Sequence, residues 1–194
     1  MSSKHLRLAV VVGSVRNGRM GIDVARWVAA RAVPHGRWEV DLVDLAEHPL
    51  PLAVPGMGQP LDAEVQRLKD GITPRLAAAD AFVVVTPEYN HSYPASLKNV
   101  VDWHPQEWAA KPVGLVSYGG MGGGIRAAEH LRQVLPEVHA LTIRETLSFH
   151  NAWGAFENGG APQGAEAAAK TFLDQLAWWA DALYVARLNR SYQF

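Results

Sequence analysis

Cysteine is missing altogether from this sequence. Structural disulfides, a thiol nucleophile and Cys-ligated metal or iron–sulfur centres are therefore excluded. No charge of one sign dominates, since eighteen basic side chains stand against nineteen acidic ones for a formal charge of -1. Such a balance offers no field for nucleic acid or an anionic membrane, and it lacks the acidity of a charge-steered electron carrier. Long hydrophobic runs are absent too. The apolar stretch in the opening MSSKHLRLAVVVG is shorter than a signal h-region or a membrane span and ends in a glycine turn, so a cytoplasmic protein is expected. The eight histidines form neither HExxH nor a paired metal spacing, and no GxSxG elbow presents a serine. No metal site and no catalytic side chain are assigned; His91 alone among the histidines adjoins a loop of interest.

What is present is ordinary globular material. An apolar fraction of 48% and a charged fraction of 19% in 194 residues suit one compact domain spanning residues 1–194. Residues 6–12 (LRLAVVV) form a continuous apolar, β-branched run, the pattern of a central parallel strand covered on both faces. Further strands are expected at 38–43, 81–85 (halting abruptly at Thr86-Pro87), 113–117 and 139–143. Helices are expected from about Met20 to Val33, over 62–79 with a break at Thr73-Pro74, and over 94–103, 125–135 and 165–189. Residues 47–60 carry four prolines and two glycines and read as loop. Alternation of this kind predicts an open parallel sheet with helices on both faces, whose ligand lies beyond the carboxyl ends of the strands.

Three loops occupy that edge. GSVRNGRMG (13–21) follows the first strand. Gly13 permits a sharp turn, Ser14 supplies a hydroxyl, Arg16 and Arg19 supply guanidinium groups, and the helix start supplies free N–H groups. Neither GxGxxG nor GxxxxGK[ST] is present, so a terminal monophosphate fits better than a diphosphate; a plain surface loop with two solvated arginines is the alternative. TPEYNHSYPASLKNVVDW (86–103) follows the third strand. Pro87 stiffens the turn, while Glu88, Tyr89 and Asn90 offer backbone amides and a stacking surface to a planar ring. Lys98, Asn99 and Asp102 read as structural, with Lys98 and Asp102 an i,i+4 pair. SYGGMGGGIR (117–126) follows the fourth strand; its five glycines among ten residues let backbone N–H groups approach a ligand. Arg126 either meets an anionic dinucleotide or is solvated. Trp103 and Trp108 suit either a subunit interface or the core.

With these loops in place, the chain resembles the NAD(P)H-dependent FMN reductase family of the flavodoxin-like superfamily. The resemblance is carried by GSVR after the first strand, PEYN with P-x-x-LKN-x-x-DW after the third, and S-x-GG-x-GG-x-RA after the fourth, over about residues 6–135. It implies a flavodoxin-like three-layer α/β/α sandwich with a five-stranded parallel sheet of order 2-1-3-4-5. It also implies non-covalent FMN, NADPH or NADH as co-substrate, and a homodimer or homotetramer. The implied reaction is ping-pong hydride transfer from NAD(P)H via FMN to a small acceptor: a flavin, quinone, azo compound or metal ion. By position, Ser14, Arg16, Arg19, Met20 and Gly21 would surround the FMN phosphate. Pro87, Glu88, Tyr89 and Asn90 would border the isoalloxazine, and Ser117, Tyr118, Gly119 and Gly120 would close its other side. The chain departs from the family at Arg19, where serine is usual, and at Gly21, where Asn or Thr is common. Competing readings are a flavodoxin-like electron carrier, or a flavin-binding protein, without NAD(P)H activity of its own.

Overall fold

A computed structural model describes residues 5–56 and 58–193. Residues 1–4 of the opening segment and Met57 of the proline-rich stretch lie outside them. Five strands, β1 (Leu6–Val12), β2 (Trp38–Asp44), β3 (Ala81–Pro87), β4 (Pro112–Tyr118) and β5 (Leu141–Phe149), form one sheet. All pairings are parallel and the order is β2-β1-β3-β4-β5. The helices are α1 (Gly21–Ala32), α2 (Ala63–Asp70), α3 (Thr73–Ala78), α4 (Ala95–Trp103), α5 (Ile125–Val134) and α6 (Ala165–Asn189).

The two-residue period of β1 divides its apolar run between two cores. Leu6, Leu8, Val10 and Val12 join Val24, Trp27 and Val28 of α1 and Phe172, Leu173 and Leu176 of α6. Ala9 and Val11 point the other way, to Leu76 of α3, Leu97, Val100 and Val101 of α4 and Leu131 of α5. Each of these large side chains contributes about 1.5–3 kcal/mol through burial.

Two strands differ from the sequence-based expectation. β3 runs on through Pro87 instead of stopping before Thr86. Its pairing with β1 ends at Val12↔Val85, while pairing with β4 continues through Thr86↔Ser117 and Pro87↔Tyr118. Past Val85 there is no β1 residue left to receive an N–H, so proline is tolerated there. β5 begins at Leu141 and reaches Phe149, because residues 135–138 close a 3-10 helix that His139 caps at φ 56. β5 also bulges where its register with β4 shifts between Val113 and Leu115. Arg132 of α5 donates there to the carbonyls of Ile143 (2.7 Å) and Arg144 (3.0 Å) and to the Thr146 hydroxyl (2.6 Å). On the same strand, the Glu145 N–H donates to Gln175 of α6.

The tryptophans resolve towards the core. Trp108 is fully buried with its ring 4.3 Å from that of Phe82. Trp103 is buried and donates from Nε1 to the Pro51 carbonyl at 2.8 Å. The apolar side of α4 is spent on the chain's own sheet, so these residues give no argument for self-association.

Candidate active site

The first loop leaves β1 at its carboxyl end, where the Gly13 N–H donates to the Val85 carbonyl. Ser14 is buried, and its hydroxyl lies 3.0 Å from the Tyr89 hydroxyl. α1 begins at Gly21 with Met20 as N-cap and no side-chain cap, which leaves its first N–H groups for an external acceptor. Tyr118, at the end of β4, reaches across to the same place. A side chain on Gly21 would collide with the Tyr118 hydroxyl, so that phenol fills the room a larger residue would take. Burial pushes the Tyr118 pKa up, against smaller lowering effects from Ser14, Arg19 and Arg16, and the group stays a neutral hydroxyl.

The two arginines of the loop behave differently. Arg16 is exposed, with its guanidinium carbon 5.7 Å above the Tyr89 ring. Arg19 is tied through Nη2 to the buried Asp44 carboxylate, so it is not the second free guanidinium that the sequence suggested. Its Nε is nevertheless buried with no partner among the described residues.

In the second loop, Tyr89 and Ser92 exchange backbone hydrogen bonds of 2.7 and 3.0 Å across a two-residue turn. Asn90 and His91 both take positive φ, 49° and 70°, the signature of a type I′ turn. Both side chains are exposed at the tip, so His91 stands clear of the cleft. Glu88 pairs with the Arg126 guanidinium and also accepts the Arg126 N–H at 3.2 Å; its carboxylate therefore caps α5. Arg126 is thus neither merely solvated nor unpaired. The α4 residues of the pattern serve the scaffold. Ser96 donates to the Gly13 carbonyl at 2.5 Å, Asn99 to the Leu50 carbonyl at 2.9 Å, and Lys98 pairs with Asp102.

In the third loop, the Ser117 hydroxyl turns inward and donates to the Gly123 carbonyl at 2.8 Å. The N–H groups of Asn151 and Ala152 donate to the carbonyls of Gly120 and Gly119. This joins the loop to the segment after β5 and sets Trp153 against Gly120, where a β-carbon would lie 3.0 Å from the indole. Trp153 is 71% exposed although its neighbours Ala152 and Phe156 are buried. The sequence suggests residues 151–164 as a rim of the site, which Trp153 bears out, but the stretch has no periodicity that would single out this residue.

Together these groups enclose a cleft of about 230 Å³. Of the residues expected there, Ser14, Arg16, Arg19, Met20, Tyr89, Tyr118 and Gly119 line it, joined by Asn17, Gly18 and Trp153. Gly21 backs it beneath Tyr118. Pro87, Glu88, Asn90, Ser117 and Gly120 stand behind or beside that lining, in the engagements given above. Of the larger clefts, those of about 610 Å³ between α1 and α6, about 510 Å³ at the end of α6 and about 420 Å³ beside β1, β2 and α3 lie away from these loops, while one of about 330 Å³ adjoins them at Val15 and Ser96. Among the described residues no cluster of His, Cys, Asp or Glu suits a metal ion, and no helix is long and apolar enough to cross a membrane.

Comparison with known proteins agrees with this geometry. The family model described as NADPH-dependent FMN reductase matches residues 6–154. An NAD(P)H-dependent FMN reductase of Schizosaccharomyces pombe is 37% identical over 148 residues, covering 71% of this chain and 73% of the relative. A quinone reductase of Escherichia coli K12 is 33% identical over 186 residues, covering 90% and 91%. The flavoenzyme NAD(P)H:(acceptor) oxidoreductase FerB of Paracoccus denitrificans has a similar structure, with a TM-score of 0.71 at 27% identity, covering 91% of this chain and 98% of that one. With loops, sheet order and sequence in agreement, the chain belongs to the NADPH-dependent FMN reductase family.

Proposed function

We propose that FMN lies in the cleft between the three loops, its phosphate at 14–21 and its ring bordered by Pro87–Asn90 and Ser117–Gly120, and that the whole chain acts as one FMN-binding unit. As a member of its family the chain is an NAD(P)H-dependent flavin oxidoreductase with FMN as cofactor. Flavin and quinone-type acceptors fit the names of its relatives; azo compounds and metal ions remain part of the proposal.

The observation that carries the placement is the unpartnered, buried Nε–H of Arg19. Arg19 lines a cleft together with Ser14, Tyr89, Tyr118 and the exposed Arg16, beside an uncapped helix start. A buried donor without an acceptor costs about 1–3 kcal/mol, and this donor set suits a phosphate monoester. When bound, FMN would supply the hydride-transfer chemistry between NAD(P)H and the acceptor. The chain's own task is positioning. Ser14 and the start of α1 supply donors, Arg16 supplies charge, the type I′ turn fixes Tyr89, and Glu88 ties that turn to α5. No side chain is required as nucleophile or obligatory acid.

An absorbance spectrum of the purified protein, followed by NADPH and NADH titration with and without added FMN, tests this. Flavin absorbance or FMN uptake with NAD(P)H oxidation is expected. A colourless protein that takes up no FMN and oxidises neither nucleotide overturns it. Cytoplasmic location is carried from the short opening apolar run, and self-association as a homodimer or homotetramer from the family resemblance. A monomeric mass by light scattering at micromolar concentration removes the latter.

A further inference from the structure

Asp44 closes β2 at the register position beside Val12, the last residue of β1. It stands outside the three loops, yet it is buried, and both of its carboxylate oxygens are engaged. Oδ1 accepts the Ala46 N–H at 3.1 Å, which fixes the plane of the carboxylate against the chain that follows β2. Oδ2 takes the Nη2 of Arg19. The carboxylate is 4% exposed and the guanidinium 22%, so neither partner is free to swing into solvent.

We infer that Asp44 is a positioning residue for the cofactor phosphate, acting through Arg19. The Nη2 contact, made where both side chains are largely buried, restrains the guanidinium, and its Nε–H is left buried and unpartnered in a residue that lines the cleft. A planar fork with one edge fixed directs its remaining donors along set lines. The carboxylate would by charge alone oppose an anion nearby; fixed to Arg19 and to the Ala46 N–H, it turns a mobile surface cation into a directional donor. This accounts for the departure of the chain at Arg19. The hydroxyl donor usual at that position is replaced by a guanidinium, and a guanidinium needs a holder. The inference rests on the FMN reading above and assigns Asp44 a part in it.

Riboflavin, which shares the ring and lacks the phosphate, separates this role from general support of the fold. Dissociation constants of FMN and riboflavin are measured by quenching of flavin fluorescence on flavin-free wild type, Asp44→Asn and Asp44→Glu, with thermal melts of each. An asparagine carbonyl can cap Ala46 or accept from Arg19 but not both. Asp44→Asn is therefore expected to lose about tenfold in FMN affinity, the scale of one charge-assisted hydrogen bond, with riboflavin affinity unchanged. Asp44→Glu keeps the charge and the reach to Arg19 and recovers most of that loss. An equal loss for both flavins makes Asp44 a support of the fold only and overturns the inference. Tighter FMN binding by Asp44→Asn, the result of removing a negative charge, also overturns it. If Asp44→Asn does not melt cooperatively, Arg19→Lys decides, because lysine keeps the charge and the pairing but has no Nε–H of this geometry. An unchanged preference for FMN over riboflavin in that variant overturns the inference. A wild-type protein that binds neither flavin removes the FMN reading itself, and this inference with it.

Discussion

The Tyr118 hydroxyl stands where a side chain on Gly21 would have to be. The two residues come from the end of β4 and the start of α1, 97 positions apart in the chain (118 minus 21), and their contact holds the first loop against the third. Gly21→Ala forces the phenol to move and is expected to destabilise the protein by about 1–3 kcal/mol, the usual cost of overpacking. In a Tyr118→Phe background, which removes the oxygen, the same change should cost less than about 1 kcal/mol. Urea denaturation of the four variants gives the coupling directly, and independent, additive effects would disprove the contact's role.

Arg16 and Arg19 differ in what they contribute to stability. Arg16 is exposed, and the contact described for it is with the Tyr89 face, so Arg16→Ala should leave stability within about 0.5 kcal/mol while weakening FMN binding about tenfold. Arg19→Ala strands a buried Asp44 and should lower stability by about 3 kcal/mol. Thermal melts alongside fluorescence titration check both, and equal melting temperatures for the two variants would contradict the assignment.

Trp153 exposes most of a large apolar ring beside the cleft. Replacement by Ala is expected to leave folding stability within about 0.5 kcal/mol and to weaken an aromatic ligand of the cleft by about fivefold, the scale of one stacking contact. Titration with FMN, and a KM series with NADPH, tell which ligand it meets; if neither changes, the ring has no part in binding.

Lys111 lies at the opposite end of the sheet. Its ammonium is buried and donates to the carbonyls of Leu76 (3.1 Å) and Ala77 (2.9 Å) at the end of α3. Burial, then the charge of Arg187, pushes its pKa down from 10.5 to about 8. Between these values the unfolded chain binds the proton and the folded chain does not, so stability should rise as pH climbs through that window, by up to about 3 kcal/mol. Below pH 8 both states are protonated and the gain is absent. Urea denaturation at pH 7.5 and 10 should show the rise in wild type and a flatter response in Lys111→Met; parallel responses would refute it.

Much of this was legible in the sequence because it rests on local pattern. The β-branched run of β1 and the 3.6-residue period of α6 mark elements whose faces are buried by neighbours of ordinary kind. β5 was not legible as a whole. It is an edge strand with a bulge, and Glu145 falls where the alternation of Leu141, Ile143, Leu147 and Phe149 calls for an apolar residue. At the site, sequence brought Ser14, Arg16, Tyr89 and Tyr118 to one sheet edge through topology. It did not show the Arg19–Asp44 pair, since Asp44 ends a strand 25 residues later, and no spacing rule joins a loop to the end of the neighbouring strand. The inward turn of Ser117 and the cap that Glu88 places on α5 are likewise matters of side-chain direction, which residue type does not encode.

The bulge in β5 has a consequence for how this molecule meets its own kind in crowded solution. The last strand of an open sheet presents a ladder of unspent donors and acceptors, a template for pairing with another chain. Here the carbonyls of Ile143 and Arg144 are held by Arg132, and the Glu145 N–H by Gln175. Side chains from two helices thus occupy the middle of that ladder. A foreign strand could continue the sheet there only by first displacing a guanidinium, and the kink would still spoil its register. The protein carries its own guard against edge-to-edge aggregation at this border, built from residues remote from the cleft between the three loops.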